Sequence, residues 1–155
     1  MKIAVSSDCY YPIIDSLLEE LKKRGHEVHY FGPQNEKDKE VDWPEVTVKA
    51  VEEVRNGLSD EAIILCWTGT GCSIVANKMG GIRAALCFDA ETAKGAKKYN
   101  HANVLALSLR LLSAGLLKEI LDSWFETPYG NDDWNKLQVK RVKEIEAKEK
   151  GICKI

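Results

Sequence analysis

Apolar positions along this chain come in two rhythms: short unbroken runs, and longer stretches where they recur every three or four residues. The first rhythm reads as a strand buried on both faces, the second as an amphipathic helix. Residues 2–6 form the first strand. Residues 13–24 follow as a helix with Ile13, Ile14, Leu17, Leu18 and Leu21 on its apolar side; Pro12 suits its first turn and Gly25 stops it. A second strand spans 28–31 and ends at Gly32-Pro33, and 34–40 is a charged loop. A helix over 43–55 turns Val46, Val48, Val51 and Val54 inward, and residues 62–66 form a third strand. A glycine turn leads from it into a helix over 73–78. A strand at 83–87, a helix over 90–99, a strand at 103–107 and a helix over 113–126 continue the series. The chain closes on a charged helix over 132–150, whose one stripe holds Trp134, Leu137, Arg141 or Val142, and Ile145. Strands alternating with helices predict a parallel sheet covered on both faces. The expected architecture is one doubly wound, Rossmann-like α/β domain over residues 1–155.

Composition narrows the function. The 155 residues are 45% hydrophobic and 30% charged, a globular balance, with a formal net charge of −2. That charge favours neither nucleic acid nor an anionic membrane as partner. No apolar stretch approaches the roughly 18 residues of a membrane helix. The opening residues run straight into a strand pattern, not a secretion signal. The cysteines Cys9, Cys66, Cys72, Cys87 and Cys153 are odd in number and contain no C-x-x-C pair. Free thiols in a reducing cytoplasm are therefore expected, with no metal or other cofactor.

The richest local signal is Cys66-Trp67-Thr68-Gly69-Thr70-Gly71, between the buried run Ala62-Ile63-Ile64-Leu65 and a helix start. Strand, glycine turn and helix start together expose backbone N–H groups suited to an anion. Cys66 falls at the carboxyl end of its strand, where open α/β sheets bind ligands. A thiol so placed can ionise near neutrality and abstract a proton α to a carbonyl. A Cys closing an apolar run is equally at home as inert packing, and these residues alone leave both readings open. The spacing is neither the dinucleotide fingerprint nor a Walker loop.

Over nearly its whole length the chain resembles the type B ribose-5-phosphate isomerases and the bacterial galactose-6-phosphate isomerase subunits. The resemblance rests on C-x-T-G-x-G-x-S-x-x-A-N-K over 66–78 and G-I-R-A-A-L-C over 81–87. Residues 1–8, Val41-Asp42-Trp43-Pro44, and 103–107 with Arg110 extend it. It implies a metal-independent aldose–ketose isomerase acting on a small sugar phosphate through a cis-enediolate. Cys66 then matches the proton-shuttling base, and Thr68 with the N–H groups of Gly69, Thr70 and Gly71 matches the enediolate cradle. Asp8 matches a carboxylate on the sugar hydroxyls, and Trp43 takes the place of a pocket Tyr. Asn100 matches an amide supplied by the neighbouring subunit, which implies a homodimer or tetramer with sites at the interface and 132–150 packed on the partner.

Departures from the family pattern matter as much. Cys9 and Phe88 replace histidines, Tyr99 replaces the ring-opening His, and Leu137 replaces one of two phosphate-binding arginines, leaving Arg141. His101 lies beside the lost position, either as a surface or interface His or as a substitute acid. Trp124 and Trp134 suit core or interface, the lysines of 93–98 and 136–150 suit a solvated face, and Cys72, Cys87 and Cys153 suit packing. These losses point to a sugar that reacts in its open-chain form. The alternative is a non-catalytic sugar-phosphate binder, or a subunit active only beside a paralogous partner.

Overall fold

The computed structural model describes residues 1–152. In chain order the elements are β1 (Lys2–Ser7), α1 (Pro12–Lys23), β2 (Glu27–Phe31), α2 (Trp43–Arg55), β3 (Glu61–Cys66) and α3 (Thr70–Ala76). They continue with β4 (Ala84–Leu86), α4 (Ala90–Asn100), β5 (Val104–Ser108), α5 (Ala114–Glu126) and α6 (Asp133–Ile152). The strands form one parallel sheet, as the alternating pattern predicts, and their order is β2-β1-β3-β5-β4. Every residue of the central β3 is buried, which is why residues 62–66 read as a continuous apolar run after the ion-paired Glu61.

Alternate residues of each strand face opposite layers. On one face Ile3, Val5, Ile63, Leu65, Leu105 and Leu107 pack against the apolar sides of α1, α4 and α5, including the fully buried Trp124. The other face is lined by smaller residues: Ala4, Ala62 and Ala106 beside Ile64, Cys66 and Val104. It receives Ala50 and Val51 of α2 and Cys72 and Ala76 of α3. Short side chains on both sides of this layer let α3 lie close to the end of β3.

Local details depart from the sequence pattern for identifiable reasons. The fully buried side of α2 is Val46, Thr47, Ala50 and Val51, while Val48 and Val54 are only half-buried. Small Thr47 and Ala50 fit the closest approach of the helix to the sheet better than valines do. The Thr47 hydroxyl finds no hydrogen-bond partner there. β4 is the short edge strand, and α3 starts within the glycine turn at Thr70. Lys97 is the exception to a solvated lysine face: it is buried, pairs with Glu61, and lies over the rings of Trp124 and Tyr129. The Trp124 indole N–H completes this cluster by donating to Glu61 Oε2 at 2.6 Å.

Strand order places the crevice. The chain steps outward from β1 to β2, then α2 returns it past β1 to β3. The carboxyl ends of β1 and β3 thus flank the point where the winding reverses, the customary ligand crevice of such sheets.

Candidate active site

Cys66 ends β3 and is 6% exposed. The chain then turns through Gly69, whose φ of 75° is left-handed. A Cβ at Gly69 would lie 2.9 Å from the Leu107 carbonyl carbon and oxygen, so glycine alone permits so tight a turn. Gly69 is also the N-cap of α3 and has no side chain to occupy the helix's first N–H groups. Those groups serve the sulfur instead. The Cys72 thiol and the Cys72 and Gly69 N–H groups draw the Cys66 pKa down to about 6 although burial and Asp8 oppose ionisation. The Gly69 N–H also donates to the Cys66 carbonyl oxygen at 3.3 Å, and the Cys72 thiol to the Gly69 carbonyl at 3.2 Å. Cys72 is fully buried, and its thiol is pushed upward by its hydrogen bond to Cys66 and by burial. The Thr68 and Thr70 hydroxyls are 2.6 Å apart and exposed on the same turn.

Neighbouring loops close around this turn. Asp8 and Cys9 follow β1; the Cys9 thiol donates to Asp8 Oδ1 at 3.2 Å. Burial, reinforced by that bond, pushes Cys9 up to about 12, which makes it a neutral donor and unfit as a base. The Trp43 indole lies over Gly71, 3.2 Å from where a Cβ would stand, and is 44% exposed. Tyr11 and Trp67 form a second exposed aromatic pair, with ring centroids 5.7 Å apart. After β5, the N–H groups of Leu109 and Arg110 donate to the carbonyls of Cys66 and Trp67 at 3.1 and 3.2 Å. Arg110 is thereby tied to the turn, with its side chain exposed.

Asp8, Cys9, Trp43, Cys66, Thr68, Gly69, Thr70, Gly71 and Arg110 therefore gather at one end of the sheet. Tyr99 and Asn100 do not join them. They end α4, just before β5 begins, and so lie toward the opposite end of the strands from Cys66. Both are exposed there and line a groove of about 880 Å³ between the β4 edge and α6. Val139, Val142 and Ile145 of α6 form much of its apolar wall. Arg141 is exposed on α6, where its Nη1 donates to Gln138 Oε1 at 3.4 Å.

His101 is no mobile acid. Its backbone is left-handed (φ 49°), its Nε2 meets the Gly130 carbonyl at 2.8 Å, and its ring stacks on Tyr129 at 4.7 Å. Cys87 is buried and pushed up to about 12 by burial, as packing requires. Cys153 lies outside the described residues. Among those described, no group of three or more His, Cys, Asp or Glu side chains is placed to hold a metal ion, and no helix is long and apolar enough to cross a membrane. Sequence reasoning assigned Cys72 to packing and missed its contact with Cys66. The one available signal was its spacing, six residues beyond Cys66 and in the first turn of a helix opened by glycine.

Residues 3–145 match the family described as Ribose/Galactose Isomerase. The chain belongs to this family. It is 37% identical to the galactose-6-phosphate isomerase subunit LacB of Clostridium acetobutylicum over 97% of this chain and 87% of that protein. The D-erythrulose-4-phosphate isomerase of Pectobacterium atrosepticum is 40% identical over 56% of this chain and 57% of its own length. Among solved structures, Clostridium thermocellum ribose-5-phosphate isomerase B superposes with a TM-score of 0.89 at 37% identity, covering 96% of this chain and 99% of that one. Family membership makes the chain an aldose–ketose isomerase of sugar phosphates and accounts for its Rossmann-like sheet.

Proposed function

We propose that this isomerase uses Cys66 as its base and acts on a small sugar phosphate in its open-chain form through a cis-enediolate. The observation that carries the reading is the Cys66 thiol itself: it closes a buried strand, faces the crevice between β1 and β3, and is drawn down to about 6 by hydrogen-bond donors. Starting from the aldose, its thiolate takes the proton from C2 as electrons move onto the carbonyl oxygen at C1. The enediolate that forms is met by the Thr68 hydroxyl and the backbone N–H groups of the 69–71 turn. The thiol returns its proton to C1, and the hydroxyl proton passes from O2 to O1, so that ketose and aldose balance without any external electron donor. Asp8 and Cys9 contact sugar hydroxyls, and Trp43 walls the pocket over Gly71.

The open-chain substrate follows from the residues that stand at the family's ring-opening and histidine positions. Tyr99 stands where the resemblance implies a ring-opening His, and the thiol of Cys9 is held neutral. A ketose phosphate of four carbons, its terminal hydroxyl esterified, cannot close the usual ring and needs no ring opener. The likeness to a D-erythrulose-4-phosphate isomerase supports this substrate class. The chain works in this reading as one domain over 1–155, in a reducing cytoplasm where its thiols stay free. Two copies share each site: Arg110 meets the phosphate from the subunit that holds Cys66, while Tyr99, Asn100 and Arg141 come from the partner, with 132–150 packed across the interface. The exposed stripe of Trp134, Leu137, Val142 and Ile145 on α6 supports such packing.

A second reading is favoured by the 37% identity with one subunit of galactose-6-phosphate isomerase. Here the chain is active only beside a paralogous partner, or binds sugar phosphates without turning them over. One experiment separates the two. The purified chain is incubated in deuterated water with tetrose, pentose and hexose phosphates. Deuterium at C1 or C2, largest with a tetrose phosphate and lost in Cys66→Ser, is the expected result. Binding without exchange across the whole panel rejects the first reading for the second.

A further inference from the structure

Cys66 sits in surroundings that oppose a charge. The cluster around it is Ala4, Ile64, Ala76, Ile82 and Ala106, with Ala50 and Val51 from α2. Among the described residues, the ionisable groups that act most strongly on it are Cys72 of α3 and Asp8 at the end of β1, with Cys9 beside Asp8. Arg110, tied to the Trp67 carbonyl, keeps its side chain exposed. From β5 the residue in register is Ser108, whose hydroxyl is spent on the Trp67 carbonyl at 3.0 Å. No cation is among the leading influences on its ionisation, and Asp8 repels a thiolate. Burial without a counter-ion ordinarily raises a thiol's pKa. Whatever holds Cys66 ionised must therefore be hydrogen-bond donors, and the Gly69 and Cys72 N–H groups are two of them.

The third is a side chain. Cys72 is fully buried in the first turn of α3, and its sulfur is 3.2 Å from the Gly69 carbonyl oxygen and 3.8 Å from that of Ile64. Its one proton has competing acceptors: the Gly69 carbonyl and the Cys66 sulfur. A neutral thiol is a weak acceptor, and a thiolate is a strong one. We propose that Cys72 is a positioning residue for the proton-transfer step: its S–H rests on the Gly69 carbonyl while Cys66 is protonated and swings onto the Cys66 sulfur when that sulfur gives up its proton. Rotation about the Cys72 Cβ–Sγ bond is the whole motion. No proton leaves Cys72, no heavy atom need shift, and the Gly69 carbonyl is left as a backbone acceptor beside the helix start. The device lets the base be neutral or charged in the same packed cavity, as a group that both takes and returns a proton must be. The proposal rests on Cys66 being the base, but its physical core concerns the free protein alone.

The test reads the thiol without relying on catalysis. Thiolate ultraviolet absorbance is titrated against pH in the parent and in Cys72→Ala, each minus the same background carrying Cys66→Ser, which isolates Cys66. A hydrogen bond to a charged group corresponds to about one to two pH units, so the Cys66 midpoint should move upward by that amount in Cys72→Ala. Cys72→Ser keeps a donor of nearly the same size, so its midpoint should stay at or below the parent's. In the pH–rate profile, Cys72→Ala should lose about 10- to 100-fold in activity below its midpoint and converge on the parent in alkali. A purely structural role would instead lower activity equally at every pH. An unmoved midpoint in Cys72→Ala, a rise in Cys72→Ser equal to that in Cys72→Ala, or a parent midpoint in the ordinary thiol range each overturns the proposal. Should Cys72→Ala not fold, the serine arm decides alone. Failure of the isomerase reading looks different: the titration midpoints shift as stated while no substrate exchanges deuterium.

Discussion

The turn after β3 and the groove beside α6 are built on opposite principles. In the turn, backbone does the work: Gly69 permits the approach to Leu107, the start of α3 presents N–H groups, and Cys66 receives them within one chain. Beside the groove, the contacts proposed for substrate are side chains. Tyr99, Asn100 and Arg141 are exposed, and α6 turns Trp134, at 64% exposure, and Ile145, at 61%, to solvent, while Asn135 and Val139 are its buried positions among the described side chains. A backbone cradle is complete as soon as the chain folds. The proposed side-chain clamp of Tyr99, Asn100 and Arg141 would be complete only when a second surface meets it. The anchor behind that clamp is nevertheless rigid: Lys97, Glu61, Trp124 and Tyr129 lock the end of α4, and His101 on Gly130 ties it to the α5–α6 connection.

This contrast can be broken most directly at the turn. Cys66→Ser keeps the shape and replaces the thiol with a hydroxyl far too weakly acidic to serve, so kcat should fall by about 10²- to 10⁴-fold while substrate binding persists. Turnover close to the parent's would relocate the base. The parent's own pH–rate profile offers a companion check. The active form is the thiolate, so activity should fall about tenfold per pH unit below the midpoint near 6 and level off above it. A profile rising only in the ordinary thiol range would show that the donors do not act on Cys66.

At the far end the largest effect is on stability. Glu61→Ala leaves the Lys97 ammonium buried without its carboxylate, a loss of about 3–5 kcal/mol, measured by chemical denaturation. A change under about 1 kcal/mol would mean that Lys97 reaches water in solution. Arg141→Ala comes next. One charge-assisted contact is worth about 1.5–3 kcal/mol, or roughly 10- to 150-fold in affinity, for a phosphorylated ligand and nothing for the free sugar. Equal losses for both ligands would remove Arg141 from the phosphate.

The smallest signal is the most telling for the comparison. If the turn and the clamp of each site come from different subunits, mixing inactive Cys66→Ser with inactive Asn100→Ala yields mixed dimers with one intact site each. Activity should return to roughly a quarter of the parent's after unfolding and refolding the two together. No recovery would confine both residues to one chain or remove Asn100 from the site.

Much of this molecule was legible in the order of its residues. The alternation of apolar runs with three-and-four spacing determined the strands, the helices and the parallel sheet, because those periodicities are set by backbone geometry. The glycine turn marked Cys66, Thr68, Gly69, Thr70 and Gly71 as one unit because adjacency in sequence is adjacency in space within a turn. Only the tertiary structure decided the rest. Strand order, with β5 inserted between β3 and β4, depends on which helices can cover which face, and no local spacing encodes it. Thr47 and Ala50 lie inside while Val48 and Val54 lie nearer the surface, because closeness of approach, not hydrophobicity alone, selects what fits beneath α2. Lys97 looked like one lysine among several until β3 brought Glu61 beside it from 36 positions away. Cys72 looked like packing for the same reason: a thiol's role depends on which acceptors it touches, and those are chosen when the turn closes.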